Sequence, residues 1–168
     1  MNAISGRANG ASPRATINLS IAANGGFTFT TPVAAGGAYA VTVLTQPTGP
    51  SQTCAVTNGS GTIANANVVN VAVTCSTASY TIGGTVSGLG VGSSVVLRNN
   101  GGNDLTVAAN GNFTFTTPVA SGGAYAVSVQ TNPATPARTC LVTAGGTGTV
   151  ATANVTNVVV ICRSKYMF

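Results

Sequence analysis

Apolar and polar side chains alternate one by one in several short stretches of this chain. The clearest is Phe27-Thr28-Phe29-Thr30, which returns 86 residues later as Phe113-Thr114-Phe115-Thr116. A period of two puts both rings on one side of an extended strand, whereas a helix would turn them to different faces. The same alternation runs through Tyr39-Ala40-Val41-Thr42-Val43 and its copy Tyr125-Ala126-Val127-Ser128-Val129. Tyr and both Val then share one face, opposite Ala, Thr or Ser. Burying such side chains stabilises by about 1.5 to 3 kcal/mol each, so the Phe and Tyr strands are expected to centre a core in each copy. Further strands are read at Thr53-Cys54-Ala55-Val56 with Thr139-Cys140-Leu141-Val142, and over residues 69–75 with 156–162. No helix is expected.

The turns repeat as well. Asn24-Gly25 and Asn110-Gly111 precede the Phe strands, and because both residue types tolerate positive φ they predict hairpins pairing 19–22 and 105–108 with those strands. A Thr-Pro pair and then Gly36-Gly37 or Gly122-Gly123 lead into the Tyr strands, and proline-rich connections follow at 46–50 and 132–136. Between the cysteines of each copy the offset grows from 86 to 87. The extra residue is expected in the glycine turn, 59–61 or 145–148, where register on neither side need change.

The second copy has further material ahead of its Phe strand: Tyr80-Thr81-Ile82-Gly83-Gly84-Thr85-Val86-Ser87-Gly88-Leu89, then Ser94-Val95-Val96-Leu97-Arg98. These read as two strands, giving residues 80–162 seven or eight in all, as in a sandwich or related barrel. At the repeat offset their equivalents in the first copy would start before Met1, and residues 1–14 do not reproduce the Thr-Val-Ser-Gly pattern. The expected division is an irregular segment 1–16, a truncated repeat 17–75 lacking one strand or two, a linker 76–79, a complete repeat 80–162 and a tail 163–168. A sandwich without an edge exposes unpaired backbone and apolar core. The first repeat is therefore expected to fray, or to be completed by residues 1–14 or by another chain, self-association included.

Cys54 and Cys75 stand 21 apart, Cys140 and Cys162 stand 22 apart, and each pair occupies matching positions in its copy. Four cysteines allow three pairings; repetition favours Cys54 with Cys75 and Cys140 with Cys162, since each copy then closes alone. Buried free thiols are the competing reading. A zinc site would need close cysteine pairs or histidine, and the sequence has no histidine, so no metal is expected.

Composition narrows the function classes. Of 168 residues only 4% are charged: six basic residues face the single acid Asp104, for a net charge of +5. That density is too low for the phosphate contacts of nucleic-acid binding. Thr, Ser, Asn and Gly supply the polarity, a texture that suits an extracellular β protein and opposes self-association weakly. No run of about 18 apolar residues provides a membrane helix. The N-terminus lacks an apolar signal core, so an exported chain is expected to be a fragment of a longer product. Serine and cysteine nucleophiles would have no histidine base, and glycoside hydrolysis would lack its second carboxylate. No catalytic residue, cofactor site or enzyme activity is therefore expected. Asp104, like its counterpart Asn18, reads as a turn or strand-start residue, and the paired glycines lack the helix that a phosphate loop requires. Four Asn-x-Ser/Thr acceptor patterns, beginning at Asn18, Asn58, Asn112 and Asn154, are expected by chance in so Thr- and Asn-rich a chain.

Taken together, the stretch from Tyr80 to Leu89, Val96-Leu97-Arg98-Asn99-Asn100-Gly101-Gly102, Phe113-Thr114-Phe115, Gly123-Ala124-Tyr125 and Val160-Ile161-Cys162 resemble a bacterial surface-protein repeat. The modules they resemble are Ig-like or prealbumin-like, akin to carboxypeptidase-regulatory domains. The resemblance implies an all-β fold of tandem β-sandwich modules, the first N-terminally truncated, with neighbouring repeats in a longer parent protein at the cell surface. It implies a spacer, stalk or adhesive scaffold. The alternative is a carbohydrate- or peptide-binding module that meets a surface glycan or protein through loops 99–103 and 130–137.

Overall fold

The computed structural model describes residues 2–9 and 16–165, and among them there is no helix. The chain divides into two compact units, Met1–Thr77 and Ala78–Phe168. The first holds β1 (Asn2–Asn9), β2 (Thr16–Ile21), β3 (Ala38–Thr45), β4 (Gln52–Thr57), β5 (Ser60–Thr62) and β6 (Ala72–Thr77). The second holds β7 (Ser79–Tyr80), β8 (Ile82–Ser87), β9 (Val95–Asn99), β10 (Asn103–Val107), β11 (Gly111–Thr114), β12 (Val119–Ala120), β13 (Ala124–Thr131), β14 (Arg138–Ala144), β15 (Thr147–Thr149) and β16 (Val155–Ser164).

In the second unit two four-stranded sheets, β10-β9-β13-β15 and β11-β8-β16-β14, share one apolar cluster. Val95, Leu97, Tyr125 and Val127 enter it from the first sheet, and Ile82, Val86, Phe113, Val158 and Val160 from the second. All neighbours are antiparallel except β8 and β16, which run parallel with Val86 beside Val160. The alternation read in the sequence is the alternation of burial: Tyr125 and Val127 are buried while Ala126 and Ser128 are exposed. In β8, Gly83 and Gly84 are required by close approach, because a Cβ at Gly84 would collide with the Val158 carbonyl and one at Gly83 with that of Phe113.

The first unit repeats the first of these sheets, as β2-β1-β3-β5, but only β4-β6 of the second. Four expectations are corrected here. Residues 2–9 were expected to be irregular. They form β1, which pairs Ile4 with Leu19 and Val43 just as β9 pairs Leu97 with Leu105 and Val129. Among the described residues the first unit therefore has no strand at the positions of β7, β8, β11 and β12, and β1 went unread because its sequence differs from that of β9 and its offset is 93 instead of 86.

Second, Asn24-Gly25 and Asn110-Gly111 make no hairpin. β10 pairs with β9 and β11 with β8, so the dipeptide carries the chain from one sheet to the other. A two-residue hairpin of the favoured kind needs positive φ at both positions; Gly25 and Gly111 have it, and neither asparagine does. The true Asn-Gly turn is Asn100-Gly101, with φ of 51° and 73°, joining β9 to β10. Third, the extra residue of the second copy sits in β14, not in the glycine turn: it is a bulge between Val142 and Ala144 opposite Val160 and Val159. Fourth, Phe27-Thr28-Phe29-Thr30, read as a core strand of the first copy, forms none: its counterpart β11 is held as a strand by pairing with β8, and β8 has no counterpart among the described residues of the first unit.

Candidate functional site

The cysteines occupy directly opposed positions of neighbouring strands. Cys54 in β4 faces Cys75 in β6 and Cys140 in β14 faces Cys162 in β16, and both pairs are bonded, with S–S distances of 2.02 and 1.98 Å. No cysteine is free. The preceding connection braces each bond in the same way: the Cys54 N–H donates to Gln46 Oε1 at 2.7 Å and the Cys140 N–H to Asn132 Oδ1 at 2.7 Å. Proline-rich loop and disulfide thus form one repeated device, which the pattern of the cysteines alone did not reveal.

The loop 99–103 borders a concavity of about 490 Å³ lined by Asn99, Asn100, Asn103, Thr117, Pro118 and Val119 among others. Two of the asparagines are spent on the fold: the Ala126 N–H donates to Asn100 Oδ1 at 2.8 Å, and Asn100 Nδ2 donates to the Ala124 carbonyl at 3.0 Å. Asn99 is buried and also accepts from the Ala126 N–H, at 3.2 Å. Asn103 Nδ2 is buried with no hydrogen-bond partner. The surface offers neutral donors and acceptors, with neither charge nor an aromatic ring. Loop 130–137, the other candidate, does not line this concavity; its Asn132 serves the disulfide brace instead, and the carbonyl of its buried Pro133 accepts from the Arg138 N–H.

Asp104 lies at the strand start, as read, but it also has a partner that the reading missed. Arg98 donates to it twice, from Nε to Oδ1 at 2.5 Å and from Nη2 to Oδ2 at 2.7 Å. These hydrogen bonds hold the carboxyl below its ordinary range and raise the guanidinium, with mutual charge attraction adding to both. The available signal was the turn: strands that fold back at Asn100-Gly101 set Arg98 opposite Asp104. Among the described residues no three His, Cys, Asp or Glu side chains gather into a possible metal site. No helix among them is long and apolar enough to cross a membrane.

The second unit also shows how its central strand is gripped at both ends. Asn154 Oδ1 accepts from the Thr81 N–H at 3.0 Å, and Asn110 accepts from the Leu89 N–H at 2.7 Å while donating to the Leu89 carbonyl at 3.2 Å. Between these clamps the Phe115 N–H donates to the Ile82 carbonyl and the Val155 N–H to that of Thr81.

The fold and these sites define an all-β protein of several small, mostly antiparallel sheets with two cross-strand disulfides. No protein-family model matches the chain, and no curated protein or solved structure matches it either.

Proposed function

We propose that the chain is a tandem Ig-like or prealbumin-like β-sandwich segment of a bacterial exported or cell-surface protein, non-enzymatic, with a structural or adhesive role. The observation that carries this reading is the matched disulfide, closing each unit separately at the same strand pair. Such a bond limits how far a module can extend once its sheets part, which suits a spacer that holds neighbouring repeats at fixed spacing. Disulfides persist in oxidising compartments, which supports an extracellular location. The lack of any histidine, and the engagement of the single acid by Arg98, support the absence of acid–base chemistry. Thiol counting on the protein recovered from its natural source is expected to find all four cysteines blocked until reduction. Four free thiols there, or reproducible turnover by the purified chain, overturns the reading.

A carbohydrate- or peptide-binding module is the second reading, favoured by the unpartnered amide of Asn103 beside a neutral concavity. Its test is a glycan array probed with the chain and with Asn103→Ala. Binding lost in the variant supports this reading over a passive spacer.

A further inference from the structure

We propose that the first unit is a strand acceptor: segments 27–30 and 68–73 take up between them one extended strand of the Ile-Gly-Gly-Thr-Val kind, supplied by a segment outside residues 1–168 and not by a second copy of them. In the second unit β8 lies between β11 and β16. Among the described residues of the first unit, segment 27–30 forms no strand and β6 has only β4 as its neighbour. The side chains that should enclose the missing strand are present. Phe27, Phe29, Val71 and Val73 are half-exposed, whereas their counterparts Phe113, Phe115, Val158 and Val160 are buried around β8.

A second observation points to the same occupant. Asn24 and Asn67 stand at the repeat positions of Asn110 and Asn154, the two asparagines that grip β8. Both are exposed, with no side-chain partner among the described residues. The first unit therefore keeps both end clamps of a strand that is absent among its described residues.

The occupant's chemistry follows from β8. It needs aliphatic side chains at the positions of Ile82 and Val86, which point into the core, and glycine at those of Gly83 and Gly84, where neighbouring backbone leaves no room for a Cβ. It would run parallel to β6 and antiparallel to segment 27–30, gaining main-chain hydrogen bonds on both sides. A second copy of this chain is the poorer donor. Its own strand of this kind is fully committed, with Ile82 0% and Val86 1% exposed, and could be lent only by opening a complete unit. The slot exists whether the chain serves as scaffold or as binding module, so failure of either reading leaves it testable.

The probe is a synthetic peptide of residues 79–89 added to the full chain. Binding is expected by fluorescence anisotropy, with hydrogen-exchange protection appearing at 27–30 and 68–73. A peptide carrying Gly84→Val is expected not to bind, and Asn24→Ala with Asn67→Ala in the chain to weaken binding about ten-fold. Should the free peptide aggregate, the same residues tethered ahead of Met1 by a Gly/Ser linker are expected to raise the melting midpoint of the first unit by about 5 °C or more. The absence of both binding and a raised midpoint overturns the proposal, as does protection confined to the second unit or binding indifferent to the two asparagines. Peptide-sensitive dimers of the chain alone also overturn it, since the occupant is then a second copy.

Discussion

The two units carry nearly the same residues at matched positions, yet they bury them differently. Phe115 is 0% exposed and Phe29, in an identical Phe-Thr-Phe-Thr setting, is half-exposed. Val158 and Val160 are sealed; Val71 and Val73 are not. Cys162 is 3% exposed while Cys75 is half-exposed. The difference lies not in these side chains but in β8, which supplies Ile82 and Val86 to the cluster and closes the backbone of both its neighbours. Alternation in a sequence thus states which face a side chain takes. Whether that face is dry depends on a strand elsewhere.

The largest consequence is in stability. Phe27, Phe29, Tyr39, Val71 and Val73 each forgo something like a quarter of their burial, which at about 1.5 to 3 kcal/mol per fully buried side chain sums to about 2 to 4 kcal/mol. Denaturant titration of the full chain, followed by hydrogen exchange, is expected to show the first unit opening well before the second. A single transition with uniform protection breaks the comparison, because the two units would then share one cooperative core.

Next in size is a matched pair of substitutions. Phe115→Ala empties a fully enclosed position and is expected to cost about 3 to 5 kcal/mol in the second unit. Phe29→Ala removes a ring that is already partly wet, at a cost of roughly 1 to 2 kcal/mol in the first. Equilibrium unfolding of the two variants checks this, and equal losses would mean that the first core is filled.

The disulfides sharpen the same contrast. Each closes a loop of about twenty residues and contributes around 3 kcal/mol on the chain-entropy model. Reductant reaches a sulfur through exposure, and Cys75 is the only one of the four that is not buried. Timed reduction with alkylation and mass spectrometry is expected to open Cys54–Cys75 several-fold faster than Cys140–Cys162. The reverse order contradicts the burial difference.

The sequence made some of this architecture legible and hid other parts for physical reasons. The period-two runs at Phe113 and Tyr125 and the matched cysteines identified strands, faces and disulfides correctly, because each rests on local spacing that a sheet reproduces. Partner choice was not local. Asn-Gly reads as a hairpin at 110–111 as readily as at 100–101, but only the second pair places both residues at positive φ, while Asn110 is held by the backbone of Leu89. β1 was hidden because Asn2–Asn9 shares pairing with β9 but little sequence. The asparagine clamps were hidden because a lone polar residue beside a turn has no pattern until the strand it grips is known. Asp104 was placed correctly, while its bond to Arg98 required knowing the register of the hairpin.

That ion pair supplies the smallest and most selective test, because it has no equivalent in the first unit, where Ser5 is paired with Asn18. With no histidine and one acid in the sequence, Asp104 is the only side chain that titrates between neutrality and about pH 2. Its folded carboxyl is held below the ordinary value by the Arg98 hydrogen bonds. The stability it contributes is therefore fully present above the unfolded carboxyl's pKa of about 4 and is lost as pH falls through the depressed folded value. Both partners are substantially exposed, with side chains 30% and 43% accessible, so solvent and salt screen the pair. Acidification is expected to leave the melting midpoint of the first unit unchanged and to lower that of the second by under about 2 °C. Asp104→Asn, or about 1 M salt, flattens even that response. A midpoint of the first unit that moves with pH would contradict the assignment, since only the chain's terminal groups would be left to titrate and no side chain of that unit could account for the shift.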